Sequence, residues 1–183
     1  MTRYFAFLRA INVGGHVVKM DRLRQIFEAL GFSRVETYIA SGNVIFESKS
    51  RNVKTLEKKV ENALREALGY EVVTFIRTET ELAEIANYQP FPQSDIATAL
   101  SVNVVFLAET LNETSTLGLM ALRTDIDDLH LRGREIYWLC RKRQSESTIS
   151  NVAFNKTLGQ PATVRGVNTV RKMSAKYAGS KES

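Results

Sequence analysis

Val35-Glu36-Thr37-Tyr38-Ile39-Ala40-Ser41-Gly42-Asn43-Val44-Ile45-Phe46-Glu47 reads as a β-hairpin. Two β-prone segments, Val35 to Ala40 and Val44 to Glu47, flank a turn whose glycine takes a positive φ without steric cost. The neighbouring segments say what the hairpin belongs to. Before it, Leu23, Ile26, Phe27 and Leu30 recur at helical spacing up to Gly31, a left-handed helix stop. After it, Val53, Leu56, Val60, Leu64 and Ala67 form one stripe between Asn52, a cap residue, and Gly69. Tyr4 to Leu8 and Val72 to Ile76 are short apolar runs of strand length, and Glu79 to Asn87 reads as a closing helix. The order is β-α-β-β-α-β plus one helix.

The second half repeats that order. Strand Val102 to Leu107, helix Glu113 to Leu122, hairpin Leu129 to Leu139, helix Ser150 to Leu158, strand Ala162 to Val167 and helix Val170 to Ala178 follow in turn. A shift of 91 residues sets Gly42 on Gly133, Ile45 on Ile136, Phe46 on Tyr137 and Thr78 on Thr169. The expected class is α+β, with two ferredoxin-like halves from an internal duplication, residues 1–90 and 98–183. Asn87 to Ser94, with Pro90 and Pro92, is the expected linker. Tyr4 to Leu8 and Val102 to Leu107 are apolar almost throughout, so both faces of each central strand are expected to be covered.

Composition narrows the class of protein. No apolar run among the 183 residues approaches the roughly 20 needed to span a bilayer. Met1 to Arg9 has too short an apolar centre for a signal peptide, so a cytoplasmic setting without a membrane partner is expected. The lone Cys140 forms no intramolecular disulfide, and with only His16 and His130 beside it no spaced zinc cluster exists. Cys140 reads as a small buried hydrophobe. No cofactor is implied. The net charge of +5 is unevenly spread: residues 129–181 are rich in Lys and Arg, with Glu135 and Glu146 as their acids. Such a segment attracts phosphate or nucleic acid, or simply keeps a small protein soluble.

Several places carry candidate chemistry. Asn12-Val13-Gly14-Gly15 lies between strand and helix, where successive amides would cradle an anion with charge from Arg9 and Lys19. It lacks the ending of a nucleotide P-loop, and a plain connecting loop is the competing reading. Ser41 and Asn43 flank the hairpin glycine; the spacing is not that of a nucleophile elbow, and a turn serine is the simpler account. Arg165, Asn168, Thr169, Arg171 and Lys172 surround the start of the final helix, a candidate anion site unless Asn168 or Thr169 merely caps the helix. Arg77 and Thr78 occupy the equivalent place in the first half. The hairpin Leu131 to Leu139 mixes basic and aromatic residues, a pattern that would stack bases, although its match to an RNA-binding strand stops after Arg132-Gly133.

Several of these stretches resemble a known family. Arg9 to Gly15, Leu30-Gly31-Phe32, Tyr38 to Phe46, Arg77-Thr78, Asn155 to Gly159 and Thr163 to Val170 are similar to the Domain of Unknown Function 1697 family of small bacterial proteins. The resemblance implies two ferredoxin-like halves and brings no established activity. Its members usually have glycine at the position of Ala10, glutamine at Ala40, a lysine around Thr148 and an asparagine-tryptophan pair at Gly166-Val167. A ligand dependent on those groups would be bound differently here.

Function is therefore open between three readings. One is a binding module for a phosphate-bearing partner such as nucleic acid or a nucleotide. Another is a structural or oligomeric protein without a ligand. The third is an enzyme acting on a small anionic metabolite, which would need Arg9, Asn12, Ser41, Asn43 and Arg165 to converge. Oligomeric state is not fixed by the sequence.

Overall fold

The computed structural model describes residues 1–12, 14–39 and 42–178. In the first half the order is β1 (Thr2–Leu8), α1 (Met20–Ala29), β2 (Ser33–Thr37), β3 (Asn43–Ser48), α2 (Val53–Leu68), β4 (Thr74–Thr78) and α3 (Glu79–Asn87). A short helix α4 (Gln93–Thr98) leads into β5 (Ser101–Leu107), α5 (Glu113–Met120), β6 (Asp127–Arg132) and β7 (Glu135–Cys140). A 3-10 turn at Gln144–Glu146, then α6 (Asn151–Leu158), β8 (Ala162–Gly166) and α7 (Val167–Ala178) complete the order. The class is α+β: two four-stranded antiparallel sheets, β2-β3-β1-β4 and β6-β7-β5-β8, each packed with helices in two similar halves.

The chain forms two compact units. The first holds Met1–Glu84 and the end of α7 from Met173, the second Ile85–Lys172, so α3 and α7 both cross the division. In the first unit Tyr4, Ala6 and Leu8 of β1 face α1 and α2, burying Leu23, Phe27, Val60 and Leu64. Each such side chain contributes about 1.5–3 kcal/mol on removal from water. The alternate residues Phe5 and Phe7, with Ile45 and Phe75, are buried on the opposite face. Both faces of β1 are covered, as its unbroken apolar run requires.

β4 lies at a sheet edge, where outward amides would be left unpaired. Carboxylates take them. Thr74 N donates to Glu61 Oε1 at 2.9 Å, Ile76 N to Glu57 Oε1 at 2.9 Å and Thr78 N to Glu81 Oε2 at 2.8 Å. Asn52 caps α2 by accepting from Thr55 N at 3.0 Å, as its side chain suits.

In the second unit Val105, Leu107, Ile136, Trp138 and Phe154 share one core. Trp138 Nε1 donates to the buried Asp127 at 2.7 Å, which also accepts from Ser147 Oγ at 2.8 Å. Two sequence expectations shift here. The Pro-rich linker passes into α4, since Pro92 needs no amide partner and its carbonyl accepts from Ile96 N. α7 begins at Val167, directly after β8.

The pairing also corrects the alignment of the halves. Phe7 pairs with Asn43 and Phe106 with Glu135, so Asn43 corresponds to Glu135, and Phe46 to Trp138 rather than to Tyr137. Likewise Tyr4 pairs with Thr78 and Asn103 with Gly166, which sets Thr78 on Gly166 rather than on Thr169. A one-residue slip exchanges the two faces of a strand. Phe46 and Trp138 both face helices, whereas Tyr137 lies on the opposite face.

Candidate functional site

β1 ends at one end of the first sheet, and three segments meet there. Arg9 N donates to the carbonyl of Val73 at 2.9 Å, and Leu8 N to that of Gly42 at 2.8 Å. Tyr70 Oη donates to the Ile11 carbonyl at 2.9 Å. Gly42, at φ 75°, sits so close that a Cβ there would lie 2.9 Å from Ile11 Cγ2 and 3.2 Å from Leu8 Cβ. Leu8, Ile11 and Gly42 are thus packed together at this end of the sheet.

The polar residues expected here divide by role. Asn43 is fully buried, its Nδ2 donating to the Tyr38 carbonyl at 2.9 Å while Tyr38 N donates to the Asn43 carbonyl at 3.0 Å. Asn12 is exposed, and its Oδ1 accepts from Val18 N at 2.8 Å, closing the loop. Both asparagines therefore shape turns. Gly14 and Gly15, at φ 69° and 84°, are exposed with open space around them, and Arg9 is half-buried. Ser41 and Val13 lie outside the described residues.

Two features of this end escape sequence reasoning. Ala10 (φ 53°) and Ile39 (φ 57°) occupy the left-handed region, uncommon for any non-glycine residue and an outlier for a β-branched one. The glycine implied by the family resemblance at Ala10 was the available signal. The exposed ring of His16 stacks on half-buried Tyr70, with centroids 4.0 Å apart and planes at 27°. Burial also pushes the Tyr70 hydroxyl up from its ordinary acidity. No spacing in the sequence connects those two residues.

Arg77 and Arg165 stand elsewhere, in the interior. They occupy the same register, opposite Phe5 and Val104, the middle residues of β1 and β5. Arg77 is 1% exposed and donates from Nη1 to the Ile76 carbonyl at 2.9 Å; Arg165 is 9% exposed and donates to the Val164 carbonyl and Thr163 Oγ1, both at 2.8 Å. Burial pushes Arg165 down to about 10, which leaves it a cation at neutral pH. Of the cations at the α7 start, Arg171 and Lys172 are exposed, and Arg171 Nε reaches the Ala86 carbonyl at 3.3 Å. Asn168 is exposed and Thr169 half-buried.

The basic-aromatic hairpin does not present a stacking surface. Ile136, Tyr137 and Trp138 of β7 are buried, and burial pushes the Tyr137 hydroxyl up to about 12. Arg132 instead lies over the Tyr88 ring at 4.2 Å. Cys140 is buried, with its thiol pushed up by desolvation, the condition of an inert cysteine. Among the described residues there is no His/Cys/Asp/Glu cluster able to hold a metal, and no helix is long and apolar enough to cross a membrane.

Among solved structures, the chain is similar to the conserved bacterial protein SP0830 from Streptococcus pneumoniae, with a TM-score of 0.75 at 24% identity over 97% of this chain and 99% of that one. That likeness concerns the fold. No curated protein matches the chain. The family described as protein of unknown function (DUF1697) matches residues 1–137, which include the loop after β1, the β2–β3 turn and both buried faces of the first sheet. The chain belongs to the DUF1697 family.

Proposed function

We propose that this chain is a cytoplasmic binding module for a phosphate-bearing ligand, taken at the end of the first sheet by Arg9, Gly14 and Gly15. The observation that carries this reading is Arg9. Arg9 is half-buried and makes no ion pair with a carboxylate among the described residues, and it shares the loop after β1 with the exposed Gly14 and Gly15. A cation in that position gains most from an anionic ligand that also accepts from backbone amides. Strain at Ala10 and Ile39 supports the same location, since left-handed non-glycine residues cost about 1–3 kcal/mol each and cluster where ligands are held.

Inorganic pyrophosphate titrated calorimetrically is the direct probe. Arg9→Ala should weaken binding about tenfold or more, as a lost hydrogen bond from a charged group does. Added salt should weaken the wild type. A wild type that gives no saturable heat would remove the reading.

A second reading has its own observation. The start of α3 is closed by Glu81, whose carboxylate accepts from Thr78 N and Oγ1, whereas the first turn of α7 holds no acid and is followed by exposed Arg171 and Lys172. An anion at Asn168, Thr169, Arg171 and Lys172 would complement that helix start. Joint replacement of Arg171 and Lys172 by alanine should abolish pyrophosphate binding under this reading and spare it under the first. The halves, 1–90 and 98–183, are read as copies of one ancestral unit, a view supported by the common sheet order and the shared register of Arg77 and Arg165.

A further inference from the structure

We infer that the ligand at the end of the first sheet is a nucleotide unit, its base stacked on the outer face of His16 and its phosphate on Gly14, Gly15 and Arg9. The inference rests on the phosphate reading above and adds the ring.

The aromatic platform is already built. Tyr70 is half-buried against the core and donates a hydrogen bond to the Ile11 carbonyl, and His16 stacks on it with centroids 4.0 Å apart and planes at 27°. His16 is exposed while one face of its ring is stacked on Tyr70, and its neighbour Val17 is 84% exposed. An exposed flat ring backed by a fixed ring is a stacking surface for any base, because every base has a π-face. Gly14 is two residues from His16, a span of at most about 7 Å of extended chain. A base and its phosphate are separated by a single sugar, so one nucleotide meets both elements at once. The valine adds apolar surface beside the ring without adding charge, which suits a base better than a second phosphate.

Free nucleotide and the end of a single strand share this chemistry. Adenosine monophosphate, ribose 5-phosphate, inorganic phosphate and a short oligoadenylate should be titrated against wild type, His16→Ala and His16→Phe. Adenosine monophosphate should bind about tenfold tighter than ribose 5-phosphate. His16→Ala should erase that difference and His16→Phe should keep it. Oligoadenylate binding tighter than the monophosphate would make the strand end the source; equal or weaker binding would make it the free nucleotide. Equal affinity for the two monophosphates in the wild type, or a difference that survives His16→Ala, overturns the nucleotide inference while leaving the phosphate reading intact. If none of the four compounds binds, the phosphate reading and this inference fail together.

Discussion

Gly42 and Ile11 are in contact across two loops: a side chain carbon added at Gly42 would stand 2.9 Å from Ile11 Cγ2, with the Leu8 carbonyl oxygen at 3.3 Å. The contact joins Gly42, which precedes β3, to Ile11 in the segment that follows β1. Gly42→Ala must both leave the favourable φ range and displace a packed neighbour. It should cost roughly 2–4 kcal/mol, read as a lower urea midpoint at unchanged slope. A loss within experimental error would mean that the two loops are not coupled.

Ala10 and Ile39 should yield stability when freed of their backbone penalty. A left-handed alanine costs about 1–2 kcal/mol, of which glycine returns some through its more disordered unfolded state. Ala10→Gly should therefore stabilise by about 0.5 kcal/mol, and Ile39→Gly by about 1 kcal/mol because a β-branched residue fits that region worst. Melting temperature is the readout. A fall in either variant would show that the side chain holds the loop more than the backbone strains it.

The buried arginines should behave as core residues. Arg77→Ala and Arg165→Ala each remove a long packed stem along with hydrogen bonds to backbone carbonyls, and each should destabilise by roughly 2–4 kcal/mol. Arg165→Met, which keeps the volume and carries no buried charge, should cost less than Arg165→Ala. Pyrophosphate affinity of the folded protein should not change in any of the three. An affinity loss without a stability loss would return Arg165 to a ligand-binding role.

Stability at low pH should depend on Glu36. Its carboxylate accepts from Tyr177 Oη at 2.7 Å and Lys176 Nζ at 3.1 Å, and the Tyr177 hydrogen bond holds it below its ordinary value of 4.5. A depressed carboxylate stabilises fully above that value, and the contribution fades as pH falls through the folded value. Lys176 and Tyr177 are both raised, Lys176 by its hydrogen bonds and Tyr177 chiefly by burial, so their contributions fade at alkaline pH instead. Glu36→Gln should flatten the acid limb of urea midpoints measured from pH 6 to pH 3. Parallel acid limbs for the two proteins would assign the acid sensitivity to other carboxylates.

Much of this architecture is legible in the residues. The unbroken apolar run Tyr4 to Leu8 implies two covered faces, and Asn52 and Gly69 mark the two ends of α2 where spacing says they should. Alignment of the halves is less legible, because similar residues one position apart in β3 and β7 invite the wrong shift, and only strand pairing assigns Phe46 and Trp138 to the same face. The proposed site is legible in part. The glycines and Arg9 announce themselves, but Arg77 and Arg165 read as surface cations when their strands bury them, and the Tyr70 and His16 stack depends on tertiary contact alone.

The most direct measurement is a nuclear magnetic resonance titration of isotopically labelled protein with adenosine monophosphate. The amides of Gly14, Gly15, His16 and Gly42 should shift in a saturable way, and those of Asn168, Thr169, Arg171 and Lys172 should stay unmoved. Saturable shifts confined to the start of α7, or an unchanged spectrum at millimolar ligand, would contradict the assignment of the binding site to the end of the first sheet.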